Sequence, residues 1–212
     1  MSHQRTRIKF CGLKTESDVD AAVDAGADAV GFVFHRKSPR YIEPEIAADL
    51  ALMLPPFVDA VGLFVDLHPS EVANIAEQAF VNIIQLHGDE SPADAAALAT
   101  EFPIIKAVQF DADTIRRWGD NLDLAMLLID GSSGGMGEAF DWTALPPLMD
   151  EMESPVMLAG GLTPENVGEA IRVARPFAVD VSSGVERERG VKDPALIRAF
   201  GRAVAEADAS IT

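Results

Sequence analysis

Eight short apolar runs, each followed by a stretch with helical periodicity, recur about every 25 residues along this 212-residue chain. That alternation predicts an α/β fold. Strands buried on both faces read as continuous Val-, Ile- and Leu-rich runs and belong to a parallel sheet covered by helices. Eight units suffice to close the sheet, so the predicted architecture is a single-domain (β/α)8 TIM barrel over residues 1–212, at the short end of the usual size. The ends of the last two runs support it. Val156-Met-Leu-Ala stops at Gly160-Gly161, and Phe177-Ala-Val-Asp-Val stops at Ser182-Ser183-Gly184. Small residues after strands seven and eight are where such barrels commonly bind phosphate. A doubly wound sheet of five or six strands is the alternative, and it leaves two or three runs without a place.

The elements follow in order. Residues 8–11 are a strand, broken by Gly12. Thr15-Glu-Ser-Asp18 opens a helix that continues over 19–25, with Gly26 as its stop. Residues 28–34 are the second strand, 35–41 a basic loop, and 43–54 a helix closed by Pro55-Pro56. Strands over 59–65, 81–86 and 103–108 alternate with helices over 69–79, 91–100 and 111–118. Pro92 is placed for a first helical turn. Residues 122–129 are strand six. Helix 141–152 carries a Pro146-Pro147 irregularity, and 163–173 and 193–207 are the last two helices. The polar tail 208–212 is expected to fray.

Composition narrows the function. The chain is 48% apolar, so it is not disordered. No apolar run approaches the ~18 residues of a membrane span, and the polar start lacks a signal-peptide core. One cysteine excludes an internal disulfide and a multi-cysteine metal site. These features point to a cytoplasmic protein. With 34 acidic and 17 basic residues the net charge is −17, and no basic patch suited to nucleic acid is visible. The acidic excess fits either ordinary solubility or a salty cytosol, where screening weakens self-repulsion. On the second reading, thermal melts in rising KCl give a rising midpoint, as the Debye length shrinks from ~10 Å at 0.1 M to ~3 Å at 1 M. A flat or falling midpoint removes that reading.

Barrel enzymes carry their chemistry at the C-terminal strand ends. The residues there are Cys11, His35, Lys37, Arg40, Asp66, His87, Asp89, Gln109, Asp130, the 134–137 glycine loop, Gly160, Gly161, Ser182 and Ser183.

Several segments are those of a known family. They are Lys9-Phe-Cys-Gly-Leu13, Gly26-Ala-Asp-Ala-Val-Gly-Phe32, Lys37-Ser-Pro-Arg-Tyr41, Val61-Gly-Leu-Phe-Val65 and Gln85-Leu-His-Gly-Asp-Glu90. Phe140-Asp-Trp142, Leu158-Ala-Gly-Gly-Leu-Thr-Pro-Glu-Asn-Val167 and Asp180-Val-Ser-Ser-Gly-Val-Glu186 complete the set. In order and across nearly the whole chain, these resemble the signature segments of phosphoribosylanthranilate isomerase, a single-domain barrel of tryptophan biosynthesis. The resemblance implies an Amadori rearrangement of a small-molecule substrate, N-(5′-phosphoribosyl)anthranilate, with no metal or organic cofactor. It leaves the choice of monomer or homodimer open.

The resemblance maps the general base onto Cys11 and the general acid onto Asp130. An ordinary thiol of pKa near ~8.5 is mostly protonated at neutral pH, so a nearby positive charge is needed. Lys9, two residues back on the same face, could supply it. Asp130 would protonate the furanose ring oxygen, and two proton transfers suffice for the isomerisation. Arg40 offers a fork for the anthranilate carboxylate, with Lys37 a weaker candidate. Gly160, Gly161, Ser182, Ser183 and Gly184 would donate to the 5′-phosphate. Met136 stands where the family usually has Thr. His87 and Asp89 fall in a family motif without a chemical role, and that of His35 is open. The histidine-pathway isomerase resembles a two-Asp enzyme with acids ending strands one and five. Here those ends are Cys11 and Val108-Gln109. A non-catalytic sugar-phosphate-binding barrel is the other alternative.

Overall fold

In the computed structural model, which describes residues 5–119, 121, 123–131 and 141–211, the eight strands form and close. They are β1 (Arg7–Cys11), β2 (Ala29–Val33), β3 (Asp59–Phe64), β4 (Ile83–Leu86), β5 (Ile104–Gln109), β6 (Met126–Asp130), β7 (Val156–Ala159) and β8 (Ala178–Val181). Each pairs in parallel with the next, and β8 returns to β1 with Ile8 opposite Val179 and Lys9 opposite Asp180. The helices α1 (Glu16–Asp24), α2 (Pro44–Ala51), α3 (Pro69–Gln78), α4 (Pro92–Ala99), α5 (Ala112–Gly119), α6 (Leu145–Met149), α7 (Val167–Ala174) and α8 (Pro194–Ile211) follow the strands one by one.

Local chemistry starts the helices. Thr15 and Ser91 each accept from an N3 backbone N–H, and the Asp18 and Asp94 carboxylates return the bond, so α1 and α4 begin in capping boxes. The 141–152 segment is not one helix. The Asp141 carboxylate accepts from Thr143 N at 3.0 Å, a 3-10 turn spans Trp142–Ala144, and α6 then begins. Pro146 and Pro147 thereby fall in a first turn, where a missing N–H costs nothing. Strand six starts at Met126 rather than 122. Residues 208–211 of the tail are docked, not frayed: α8 continues to Ile211, and Asp208 accepts from Thr6 N at 2.8 Å and from its hydroxyl at 2.7 Å. One element is new. After β8, a 3-10 turn (Ser183–Val185) leads into an antiparallel hairpin, β9 (Glu186–Glu188) and β10 (Val191–Lys192), turned at Gly190 with φ 82°.

Two apolar layers result. Outward-facing strand residues such as Phe10, Phe32, Phe64, Ile84 and Leu127 pack under the helices. Phe10 meets Phe200 of α8 edge-on, with centroids 5.8 Å apart. Burying one such ring is worth about 1.5–3 kcal/mol, with ~0.5–1.5 more from the pair geometry. Inward-facing residues Val61, Ile105, Ala107, Leu128, Met157, Ala159 and Ala178 fill the barrel, and Cys11, Val33 and Leu63 form a separate cluster inside it. Among the described residues no helix is long and apolar enough to cross a membrane.

Candidate active site

Cys11 is the last residue of β1, and its side chain shares the barrel-facing side with Lys9. Both are buried, at 4% and 1% exposure. Gly31 of β2 leaves room for them, since a methyl group there would stand 3.0 Å from Cys11 Sγ and 3.2 Å from Lys9 Nζ. Lys9 Nζ donates to Asp180 Oδ1 at 2.8 Å. Burial is the largest influence on the thiol and pushes it up from its ordinary value. The Lys9 charge opposes this most strongly, Asp180 adds to the rise, and Lys192 opposes it.

Asp130 ends β6 on the face of Leu128, an interior residue. Three strand steps separate β6 from β1 around the barrel. Its Oδ2 lies 3.6 Å from His87 Nε2. Gln85 Nε2 lies 2.9 Å from His87 Nδ1. With Gln85 donating, Nδ1 accepts, and the ring hydrogen sits on Nε2, toward Asp130. Asp130, His87 and Gln109 line a cavity of about 960 Å³ at the ends of β4, β5 and β6.

Arg40 follows β2 and lies against Gly12, the residue after Cys11. Its fork is engaged: Nε and Nη2 donate to Glu186 at 2.6 and 3.0 Å. Glu186 also accepts from Lys192 Nζ at 2.8 Å and from Gly190 N at 3.0 Å. Burial would raise the Glu186 carboxyl, but the Arg40 bond, Lys192 and the Gly190 N–H hold it at about 2. Lys192 Nζ donates in turn to Ser182 O at 2.8 Å, and the Ser182 hydroxyl donates to Cys11 O at 3.1 Å. The hairpin is thus tied to the ends of β1, β2 and β8.

The two small-residue turns touch. Gly160 and Gly161 have φ of 87° and 66°. Asn166 does not cap α7; it reaches back, accepting from Thr163 N at 2.7 Å and donating to Gly161 O at 2.8 Å. A Cβ on Gly184 would overlap the Leu162 carbonyl oxygen, so only glycine lets the turn after β8 nest against the turn after β7. Ser183 is exposed, and Gly160, Gly161, Ser182 and Gly184 are half-buried beside it.

Other strand-end candidates have structural work. Glu90 accepts from Asp66 N at 3.0 Å, Gly88 N at 2.9 Å and Lys106 Nζ at 2.7 Å. The Asp66 carboxylate accepts from Asp89 N at 2.7 Å. His35 and Lys37 line a separate groove between α2 and α3 with Asn74 and Gln78. The 134–137 loop, with Met136, lies outside the described residues. Sequence reading missed Asp180, Glu186 and Lys192. Their signal was present: each is a charged residue in or beside a short strand, where burial demands a partner.

A family model described as N-(5′-phosphoribosyl)anthranilate (PRA) isomerase matches residues 8–203. The N-(5′-phosphoribosyl)anthranilate isomerase of Dechloromonas aromatica is 48% identical over 210 residues, covering 98% of this chain and 100% of its own. A crystal structure of phosphoribosyl anthranilate isomerase in complex with reduced 1-(o-carboxyphenylamino)-1-deoxyribulose 5-phosphate is 40% identical, with a TM-score of 0.86 over 95% of this chain and 99% of that one. Monomers generated from the dimeric enzyme of Thermotoga maritima are 38% identical, with a TM-score of 0.85 and the same coverage.

Proposed function

The chain belongs to the N-(5′-phosphoribosyl)anthranilate isomerase family and acts in tryptophan biosynthesis, and from that premise we propose that Cys11 and Asp130 perform its Amadori rearrangement as base and acid. The product is 1-(o-carboxyphenylamino)-1-deoxyribulose 5-phosphate. The observation that carries the assignment is the placing of one thiol and one carboxyl as the last, inward residues of β1 and β6, at the same end of one closed barrel.

Asp130 gives its proton to the furanose ring oxygen, the C1′–O bond breaks, and the C1′–N bond becomes an iminium. That electron sink acidifies C2′–H, and the Cys11 thiolate takes the proton to leave an enolamine. Moving the O2′ proton to C1′ then yields the ketone. Asp130 has lost one proton and Cys11 gained one, which solvent exchange resets. His87 Nε2–H faces the Asp130 carboxylate as it becomes charged.

The touching turns of Gly160, Gly161, Ser182, Ser183 and Gly184 receive the 5′-phosphate. Arg40 receives the anthranilate carboxylate on the Nη1 edge that Glu186 does not take. Arg40→Ala therefore weakens product binding more than Cys11→Ser does. Titration of both variants with product, and a crystal grown in phosphate, test this assignment. An anion found only at the opposite barrel face, or equal affinities, would overturn it.

The proposal includes a cytoplasmic location, supported by the single cysteine, and a homodimer. The Thermotoga maritima relative is dimeric. Here Leu52, Met53, Phe57 and Phe80 are exposed on the loops leading into β3 and β4, Phe57 at 98%. Apolar side chains gathered on neighbouring loops are the mark of a buried partner. Size-exclusion chromatography with light scattering gives twice the chain mass for the wild type and a shift toward monomer for Phe57→Glu. A wild-type monomer at micromolar concentration refutes the dimer.

A further inference from the structure

We propose that Lys9 is a positioning residue for the reaction: its ammonium, held beneath Cys11 by Asp180, is the counterion of the thiolate that takes the C2′ proton. The inference rests on reading Cys11 as the base.

Lys9 is 1% exposed inside the barrel. A buried ammonium needs a partner, and Asp180 at 2.8 Å is one. Stability alone asks for nothing more, and a well-packed apolar pair would serve it as well. Yet Lys9 shares the inward face of β1 with Cys11, and Gly31 leaves both uncovered, since a Cβ there would stand 3.0 Å from Cys11 Sγ and 3.2 Å from Lys9 Nζ. The surroundings of the thiol point the same way. β1 contributes Lys9, β8 contributes Asp180, β10 contributes Lys192, and the loop after β2 contributes Arg40, with Glu186 bridging the last two. β2 and β3 present Gly31, Val33 and Leu63, which are uncharged. Among the described residues, three cations thus face two carboxylates. One positive charge is left over, and an ionised Cys11 balances it. Arg40 and Lys192 are both bound to Glu186, whereas Lys9 stands two residues from Cys11 on the same inward strand face. Burial works against ionisation, and Lys9 is its largest opponent.

The test uses the fact that the chain has a single cysteine. Ultraviolet thiolate absorbance, taken against Cys11→Ser, titrates this thiol alone and needs no reagent access. Lys9→Met moves the titration to higher pH and Asp180→Asn moves it to lower pH. An opposite charge within ~4–6 Å is worth ~1–3 pKa units, so Lys9→Met loses about ten-fold or more of kcat/KM at pH 7. KM stays near the wild-type value, and the loss shrinks as pH rises. Lys9→Arg recovers part of it. The double variant Lys9→Met/Asp180→Asn removes both buried charges, so it melts near the wild type while its thiol still titrates high and its turnover stays low. Unchanged titration in Lys9→Met, or a double variant that regains turnover along with stability, would overturn the proposal and leave Lys9 with a packing role. Cys11→Ser with near-normal turnover would instead remove the base assignment, and the order of the thiol titrations would still stand or fall by itself.

Discussion

Cys11→Ser lowers kcat by at least two orders of magnitude while the fold and product affinity hold. Serine fits the space, since it is smaller than cysteine and Gly31 leaves the site open. Its hydroxyl is a far weaker acid, so almost no side chain is ionised to take the C2′ proton. Asp130→Asn loses a similar factor for the opposite reason: the amide keeps the shape but has no proton to give the ring oxygen. General acid and base groups each contribute typically ~10²–10⁴-fold. On the proposed assignment the phosphate and carboxylate contacts fall to other residues, so both variants are expected to separate turnover from binding. Loss of phosphoribosylanthranilate fluorescence gives kcat, and product titration gives affinity. A Cys11→Ser enzyme with near-normal turnover would make the thiol structural and send the search for the base to the other strand ends.

Glu90→Ala costs about 3–5 kcal/mol, because truncating one partner of a buried ion pair strands the other. The pair is closed off from water, with the Lys106 and Glu90 side chains 4% and 3% exposed. The same carboxylate holds the ends of β3 and β4 together through Asp66 N and Gly88 N. For a chain of this size each kcal/mol moves the melting point by roughly 2–4 °C, so a fall of about 6–20 °C is expected. Glu151→Ala removes the Arg116 partner at a half-exposed site and shifts stability by under about 1 kcal/mol. Equal melting points for the two variants would show that the Glu90–Lys106 pair contributes nothing beyond a surface contact.

The barrel was legible because its signal is periodic. Eight buried runs survive any error of two residues at their ends, and Cys11 and Asp130 stand where the apolar pattern stops. Boundaries set by side-chain geometry were harder to see. Asn166 has the composition of a helix cap, yet its amide turns back to bind Gly161. Asp208 lies in a polar tail but reaches Thr6, 202 residues earlier. The β9–β10 hairpin escaped because Arg187, Glu188 and Arg189 read as solvated loop. Its reason for existing is Glu186, whose three donors come from residues far apart or across a turn. Arg40 shows the general difficulty: its type and position were evident, but not that a carboxylate of the protein already held it.

The closing of β1 on β8 has a consequence for synthesis. Cys11 leaves the ribosome well before Asp180, Glu186 and Lys192, which follow it by most of the barrel. At ~5–20 residues per second, roughly 10–40 s separate the two events. During that interval the thiol has neither Lys9 locked beneath it by Asp180 nor a sealed barrel around it. A nascent chain that stops before Asp180 has neither this anchor nor a closed barrel, and termination there is expected to be as damaging as loss of the cysteine itself. A circular permutant opened between α4 and β5 would bring β8 and β1 next to each other in translation order, and the charged cluster could then assemble while half the barrel was still being made.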